Sequence, residues 1–169
     1  MTSPIGARAR VAVLADTHLR SGLDRLSPAA RQVLGRADVI LHAGDVVSRT
    51  ALGELSELGP LHAVLGNNDG ELTGLLPLTV SVEIGGVRIG VVHDSGARAG
   101  RAGRMRRLFP DADVVVFGHS HIPWDEEGID GQILFNPGSA TQRRRQPVCT
   151  IGELELADGR VRAHRILPV

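Results

Sequence analysis

Short apolar runs alternate with polar segments along this chain, and most of the runs end in a residue able to bind a cation. Arg10 to Ala15 is an apolar, partly β-branched run that predicts a buried strand, and it ends in Asp16-Thr17-His18. Ser27-Pro28 supplies an N-cap and a proline at the first helical position, which predicts a short helix through Leu34. Asp38 to Leu41 reads as a second strand leading into His42-Ala43-Gly44-Asp45. Ser48 caps a second helix whose Leu52, Leu55 and Leu58 share one face, and Gly59-Pro60 stops it. Leu61 to Leu65 is a third strand, ending in Gly66-Asn67-Asn68-Asp69, and Glu71 to Pro77 is either loop or broken helix. Val80 to Ile84 and Val87 to Val92, joined by Gly85-Gly86, predict a hairpin that ends in His93-Asp94. An arginine-rich helix follows over Ala99 to Leu108, with Met105 and Leu108 inward and Arg101, Arg104 and Arg107 on the outer face. Val114 to Phe117 is a strand running into Gly118-His119-Ser120-His121, and Gln132 to Phe135 is another, running into Asn136-Pro137-Gly138-Ser139. Val148 to Leu156 and Val161 to Ile166 close the chain as an antiparallel hairpin.

Strands alternating with helices define a layered α/β fold, in which ligands gather beyond the carboxyl ends of the strands. Asp16 with His18, Asp45, Asn67, His93, and His119 with His121 occupy five such ends. Each alone has an ordinary explanation: a turn cap, a left-handed loop residue, a core histidine. Together, with Gly44, Gly66 and Gly118 beside three of them, they predict one site. No repeat or low-complexity linker interrupts the chain, so residues 1–169 are read as one domain.

Composition narrows the chemistry. The 169 residues carry 19 basic and 19 acidic side chains, and the absence of net charge argues against broad nucleic-acid binding. Every basic residue other than histidine is arginine, which excludes a phosphate-loop lysine and a Schiff-base lysine. The lone Cys149 excludes an internal disulfide and a cysteine-based zinc cluster. No apolar run reaches membrane-spanning length, and Met1 to Arg10 lacks the apolar core of a secretion signal, so the expected location is the cytoplasm.

Mixed nitrogen and oxygen ligands suit manganese, iron, zinc or nickel better than magnesium or calcium. Asp45 has two oxygens and can bridge two ions ~4 Å apart; a hydroxide held between them would attack phosphorus in line. Phosphate ester hydrolysis is the reaction class this chemistry suggests.

At this point the chain closely resembles the calcineurin-like metallophosphoesterases. Asp16-Thr17-His18 matches their Asp-x-His, Gly44-Asp45 their Gly-Asp, Gly66-Asn67-Asn68-Asp69 their Gly-Asn-His-Asp, and Gly118-His119-Ser120-His121 their Gly-His-x-His. His93 also matches, and Asn136-Pro137-Gly138-Ser139 is typical of the compact YfcE-like phosphodiesterase branch. The resemblance implies a four-layer αββα sandwich. It implies two divalent metal ions, manganese foremost: one on Asp16, His18, Asp45 and His121, the other on Asp45, Asn67, His93 and His119. It places Asn68 and Asp69 in the catalytic loop, with Asn68 where the wider family has a histidine that assists the leaving group or binds phosphate. Asparagine donates a hydrogen bond but transfers no proton at neutral pH, so substrates with good leaving groups are favoured.

The implied activity is a phosphodiesterase on small phosphate esters. The alternatives are a phosphomonoesterase or nucleotide pyrophosphatase using the same site, or a non-catalytic scaffold like the retromer subunit of the family. Self-association is left open. Asp94, replacing a common glycine, either supports His93 or faces solvent, and His42 stands close enough to support the site. Arg143-Arg144-Arg145 either reaches a substrate phosphate or is a solvated loop, the latter preferred; Arg101, Arg104 and Arg107 are read as a solvated face. Trp124 either forms an apolar lip or packs against the fold.

Overall fold

The computed structural model of the protein describes residues 8–169, so the first seven residues of the predicted leaderless stretch lie outside the described residues. Two five-stranded mixed sheets face one another. In the first, β1 (Arg8–Leu14), β2 (Val39–His42) and β3 (Leu61–Ala63) run parallel, and β9 (Thr150–Ala157) and β10 (Arg160–Pro168) extend it in the order β10-β9-β1-β2-β3. In the second, β5 (Val87–Val92), β6 (Val114–Val116) and β8 (Ile133–Asn136) are parallel, flanked by antiparallel β4 (Thr79–Ile84) and β7 (Trp124–Glu127) in the order β4-β5-β6-β8-β7.

Side-chain alternation sorts the apolar residues into three cores that separate four layers. Val11, Val13, Val39, Leu41, Val87, Ile89, Val91, Val114, Val116 and Phe135 fill the space between the sheets. The alternate residues Ala12, Leu14 and Ile40 meet α1 (Pro28–Gly35) and α2 (Arg49–Leu58) on one outer face. Val115, Phe117 and Leu134 meet Met105 and Phe109 of α3 (Arg101–Leu108) and its end on the other. The architecture is therefore the four-layer αββα sandwich.

The predicted caps form: the Ser27 and Ser48 hydroxyls accept from the N–H groups of Ala30 and Ala51, three residues on in each case. Several details differ from expectation. Third-residue spacing rotates away from a single helix face, so α2 buries Ala51 and Leu55 while Leu58 is exposed. Leu108 is likewise exposed at the end of α3, and Phe109 takes the inward place assigned to it. Strand β3 stops at Ala63, two residues early, because Leu65 N–H turns to bond Pro77 O outside the sheet. Strand β7, Trp-Asp-Glu-Glu, escapes hydrophobic patterning because it is a largely exposed edge.

The arginines of α3 do not form a uniformly solvated face. Arg101 lies over Phe117 (4.8 Å) and Trp124 (5.1 Å), and Arg104 donates to the carbonyls of Ser95, Ala97 and Ala99. Guanidinium planes stack on rings and cap carbonyls while their ends stay wet, so arginine here closes the outer layer. Trp124 packs into this cluster beneath Arg98 and Arg101.

Candidate metal centre

All six parallel strands of the two sheets aim their carboxyl ends at one rim. The loops beyond β1 and β2 are bonded together by the N–H groups of Asp16, His18 and Leu19, which donate to the carbonyls of Gly44, Asp45 and Val46 at 2.9–3.0 Å. The Gly118 N–H donates to His93 O at 2.9 Å and links the loops beyond β5 and β6.

The seven residues predicted as ligands meet here. Asp45 Oδ2 lies 3.5 Å from His18 Nε2 and 3.6 Å from His93 Nε2, between two groups of donors. On one side, Asp16, His18 and His121 bring ligand atoms within 4.8 Å of one another. On the other, Asn67 Oδ1 is 2.8 Å from His93 Nε2 and 3.1 Å from His119 Nδ1.

Backbone acceptors orient the rings. His93 Nδ1–H donates to Ala43 O and His121 Nδ1–H to Gln142 O, each at 2.7 Å. With the proton fixed on Nδ1, each Nε2 keeps its lone pair for the interior of the site. His42 has a different task. It is fully buried, and burial pushes its pKa down to about 3, so it stays neutral; Nε2 bonds the Thr17 hydroxyl and Nδ1 accepts from the Gly44 N–H.

Electrostatics mark the same place. Asp16 is raised from 3.8 to about 7, chiefly by burial and then by the Asp45 charge. Burial also lowers His18 and His121, so protonation of these rings is disfavoured. Burial pushes Asp45 up, but the two Asn68 hydrogen bonds and the nearby imidazoles outweigh it and leave Asp45 below its ordinary value. Asp16 Oδ2, His18 Nε2 and His121 Nε2 are buried without a hydrogen-bond partner. Native proteins seldom leave such atoms unpaired.

Five of the seven residues have left-handed backbones: Asp16, His18, Asp45, His119 and His121 at φ of 53°, 44°, 60°, 71° and 60°. Such conformations are rare in residues with a Cβ, and they cluster where geometry is imposed by function. Gly44 has φ 93°, and a Cβ there would stand 2.6 Å from His93 Nδ1; one at Gly118 would stand 3.0 Å from Asp16 Oδ2.

Asn68 and Asp69 both act on the Asp45 loop. Asn68 donates through its backbone N–H to Asp45 Oδ1 and through Nδ2 to Oδ2, each at 2.8 Å. Asp69 is buried and accepts three backbone N–H bonds, from Asp45 (2.8 Å), Val47 (2.7 Å) and Gly66 (2.7 Å). The sequence did not disclose this clamp, since its donors are main-chain groups, two of them in a loop more than twenty residues upstream. Asp94 is exposed and accepts from the Gly96 N–H, so it supports a turn and leaves His93 to Ala43. Asn136 is buried and donates to Gly118 O, steadying the histidine loop.

A layered α/β sandwich with aspartate, asparagine and histidine converging on one rim defines a metal-binding hydrolase type of fold. Residues 10–159 match the model of the calcineurin-like phosphoesterase superfamily domain, and the chain belongs to that superfamily. It is 33% identical over 136 residues to a probable metallophosphoesterase of Methanothermobacter thermautotrophicus, covering 79% of this chain and 78% of that one. It is 34% identical over 157 residues to a probable metallophosphoesterase of Methanocaldococcus jannaschii, covering 91% and 79%. Among solved structures, the fold is shared with vacuolar protein sorting 29 of Cryptosporidium parvum (TM-score 0.77, 22% identity, 96% and 99% coverage). It is shared also with Vps29 of Entamoeba histolytica complexed with zinc (TM-score 0.69, 26% identity, 94% and 98% coverage).

Proposed function

We propose that the protein is a dinuclear, metal-dependent phosphoesterase whose substrates are small phosphate diesters. The observation that carries this reading is the trio of buried, unpartnered ligand atoms on Asp16, His18 and His121, next to a carboxylate standing between two histidines. A cation satisfies all of them at once, and the nitrogen–oxygen donor set fits manganese, iron, zinc or nickel. In this reading Asp16, His18, Asp45 and His121 hold one ion, and Asp45, Asn67, His93 and His119 hold the other. Each carboxylate oxygen has two lone pairs, so the Asn68 bonds to Asp45 leave one on each oxygen for a metal.

When bound, the two cations supply an ionised water and neutralise charge on the phosphoryl oxygens. The chain's own contribution is position. Ala43 O and Gln142 O fix the imidazoles, Asn68 orients Asp45, and Asp69 holds the loop that carries it. No proton donor occupies position 68, so the leaving group departs unassisted from there, which favours esters of acidic alcohols such as aryl diesters. The complete ligand set favours catalysis over a purely structural role.

The test is metal-free protein assayed against bis-aryl and mono-aryl phosphates with manganese, nickel, zinc and magnesium restored in turn. Diester cleavage that requires two equivalents of metal, and is lost in Asp45→Ala together with bound metal, supports the reading. Metal uptake with no hydrolysis of either ester assigns the fold to assembly instead, and full activity in Asp45→Ala rules out two metals sharing that carboxylate.

A further inference from the structure

His42 ends β2 and is fully buried, as is Thr17. The Gly44 N–H donates to His42 Nδ1 at 3.2 Å, so Nδ1 carries the lone pair and the neutral ring holds its proton on Nε2. That Nε2–H donates to the Thr17 hydroxyl at 2.8 Å. Thr17 stands between Asp16 and His18, and Gly44 stands directly before Asp45. Both hydrogen bonds of the imidazole therefore end beside candidate ligands, and neither ends on one.

The two turns joined in this way have left-handed backbones, with φ of 53° at Asp16, 44° at His18, 93° at Gly44 and 60° at Asp45. Such backbones persist only where surrounding contacts over-determine them. From the far side, the Ser139 hydroxyl donates to Asp16 O at 2.8 Å and the Thr141 hydroxyl to Thr17 O at 2.6 Å, which ties the first turn to the loop after β8. His42 supplies the contact in the other direction, toward the turn of Asp45. A leucine at position 42 would fill the space but leave a backbone N–H and a hydroxyl buried without these partners. We propose that His42 is a positioning residue of the metal centre: by holding Thr17 to Gly44 it sets the spacing of Asp16 and His18 from Asp45, and with it the affinity for the ion they share with His121. This rests on the metal-binding part of the phosphoesterase reading.

The two bonds can be separated. The Thr17 bond acts on the turn of Asp16 and His18, and the Gly44 bond on the turn of Asp45. Glutamine carries an amide N–H at about the reach of Nε2, so His42→Gln restores the first bond and not the second. Thr17→Val keeps the side-chain shape and removes only the hydroxyl, so it tests the same bond in a protein whose packing is unchanged.

The experiment titrates metal-free protein with cobalt, reading affinity by calorimetry and coordination by visible absorption, with hydrolysis of a bis-aryl phosphate followed alongside. The proteins are wild type, His42→Ala, His42→Gln, Thr17→Val, Thr17→Ser and the double variant His42→Ala/Thr17→Val, each checked for folding by circular dichroism. The expected result is cobalt affinity about tenfold lower in His42→Ala and in Thr17→Val, the size of effect typical of groups that orient metal ligands, with an altered absorption band. The double variant binds within about threefold of His42→Ala, because both substitutions remove one shared bond. Thr17→Ser, which keeps the hydroxyl, binds as wild type does, and His42→Gln recovers part of the lost affinity. Wild-type affinity and spectrum in Thr17→Val, or losses from the two single variants that add in the double variant, overturn the inference; diester hydrolysis by wild type then leaves the phosphoesterase reading standing. Wild-type protein that binds cobalt without cleaving the ester, together with the expected losses in the variants, sinks the hydrolase reading and leaves His42 in its role. Wild-type protein that binds no metal overturns both.

Discussion

Replacing Asp16 by asparagine separates the cost of the site from its use. Asp16 is fully buried, and its pKa in the folded, metal-free protein is about 7 against an ordinary 3.8. The folded state therefore keeps a proton that the unfolded chain has already released. Stability associated with this group is full below pH 3.8 and is lost as pH rises to about 7. Between about pH 5 and pH 8 the loss amounts to about 3 kcal/mol, from the two pKa values and 1.36 kcal/mol per unit. Asparagine preserves the acceptor for the His119 N–H, which now bonds Asp16 Oδ1 at 3.1 Å, and it does not ionise. His18 and His121 are lowered by burial, so both proteins also lose stability on acidification through these rings.

The assay is urea denaturation of wild type and Asp16→Asn in chelator at several pH values, then again with saturating manganese. In chelator, the variant gains on wild type by about 3 kcal/mol between about pH 5 and pH 8. With metal, the order reverses near neutral pH, because only the aspartate is a good ligand and binding to the folded state adds RT ln(1 + [L]/Kd). A difference between the two proteins that does not vary with pH in chelator refutes the claim that a buried carboxylate strains this site.

Asp69→Asn sets an amide N–H against backbone N–H groups that now donate to a carboxylate; we expect a loss of about 3 kcal/mol or more in urea denaturation, and weaker metal binding in calorimetry. Gly44→Ala forces a Cβ against His93 at a φ of 93°; we expect loss of metal binding at the His93 side, read as reduced metal stoichiometry, with the protein still folded by circular dichroism. Asn68→His restores a group able to transfer a proton, so dependence on leaving-group pKa across an aryl ester series should flatten; an unchanged slope removes position 68 from the reaction. Gly90→Ala drives a Cβ within 2.5 Å of the Phe109 ring beneath α3; thermal denaturation should show a loss of about 1–3 kcal/mol without change in metal content.

Strand identity was legible because each buried run is short, β-branched and bounded, and the convergence of the candidate ligands was legible because they sit at fixed offsets from those runs. Val114 to Phe117 followed by Gly118-His119-Ser120-His121 is the plainest case. Other features carry no such mark. Strand β7 is polar because, past the partly covered Trp124, its residues Asp125 to Glu127 are exposed, so alternation never appears in it. The inward turn of Arg101 depends on the rings of Phe117 and Trp124, which its own helix does not contain. The Asp69 clamp is made to main-chain N–H groups, which any sequence at residues 45, 47 and 66 except proline would offer. Sequence discloses donors and acceptors on side chains; it does not disclose which backbone groups need them.

Left-handed backbones at five candidate ligand positions and buried polar atoms without partners both raise the energy of the folded protein. They are tolerated because most of the three apolar cores lies between and outside the sheets, while Ala15, Ala43 and Val46 anchor the rim loops to them. The loops of the rim are instead tied to one another, β1 to β2 through Asp16 and His18, β5 to β6 through Gly118, and the Ser139 loop to both Asp16 and His121. A cation bound among them would relieve the repulsion between Asp16 and Asp45 and satisfy the unpaired nitrogens in a single step. The metal dependence of stability expected here would follow from the same geometry as the proposed metal dependence of activity, and the first can be measured without knowing the substrate.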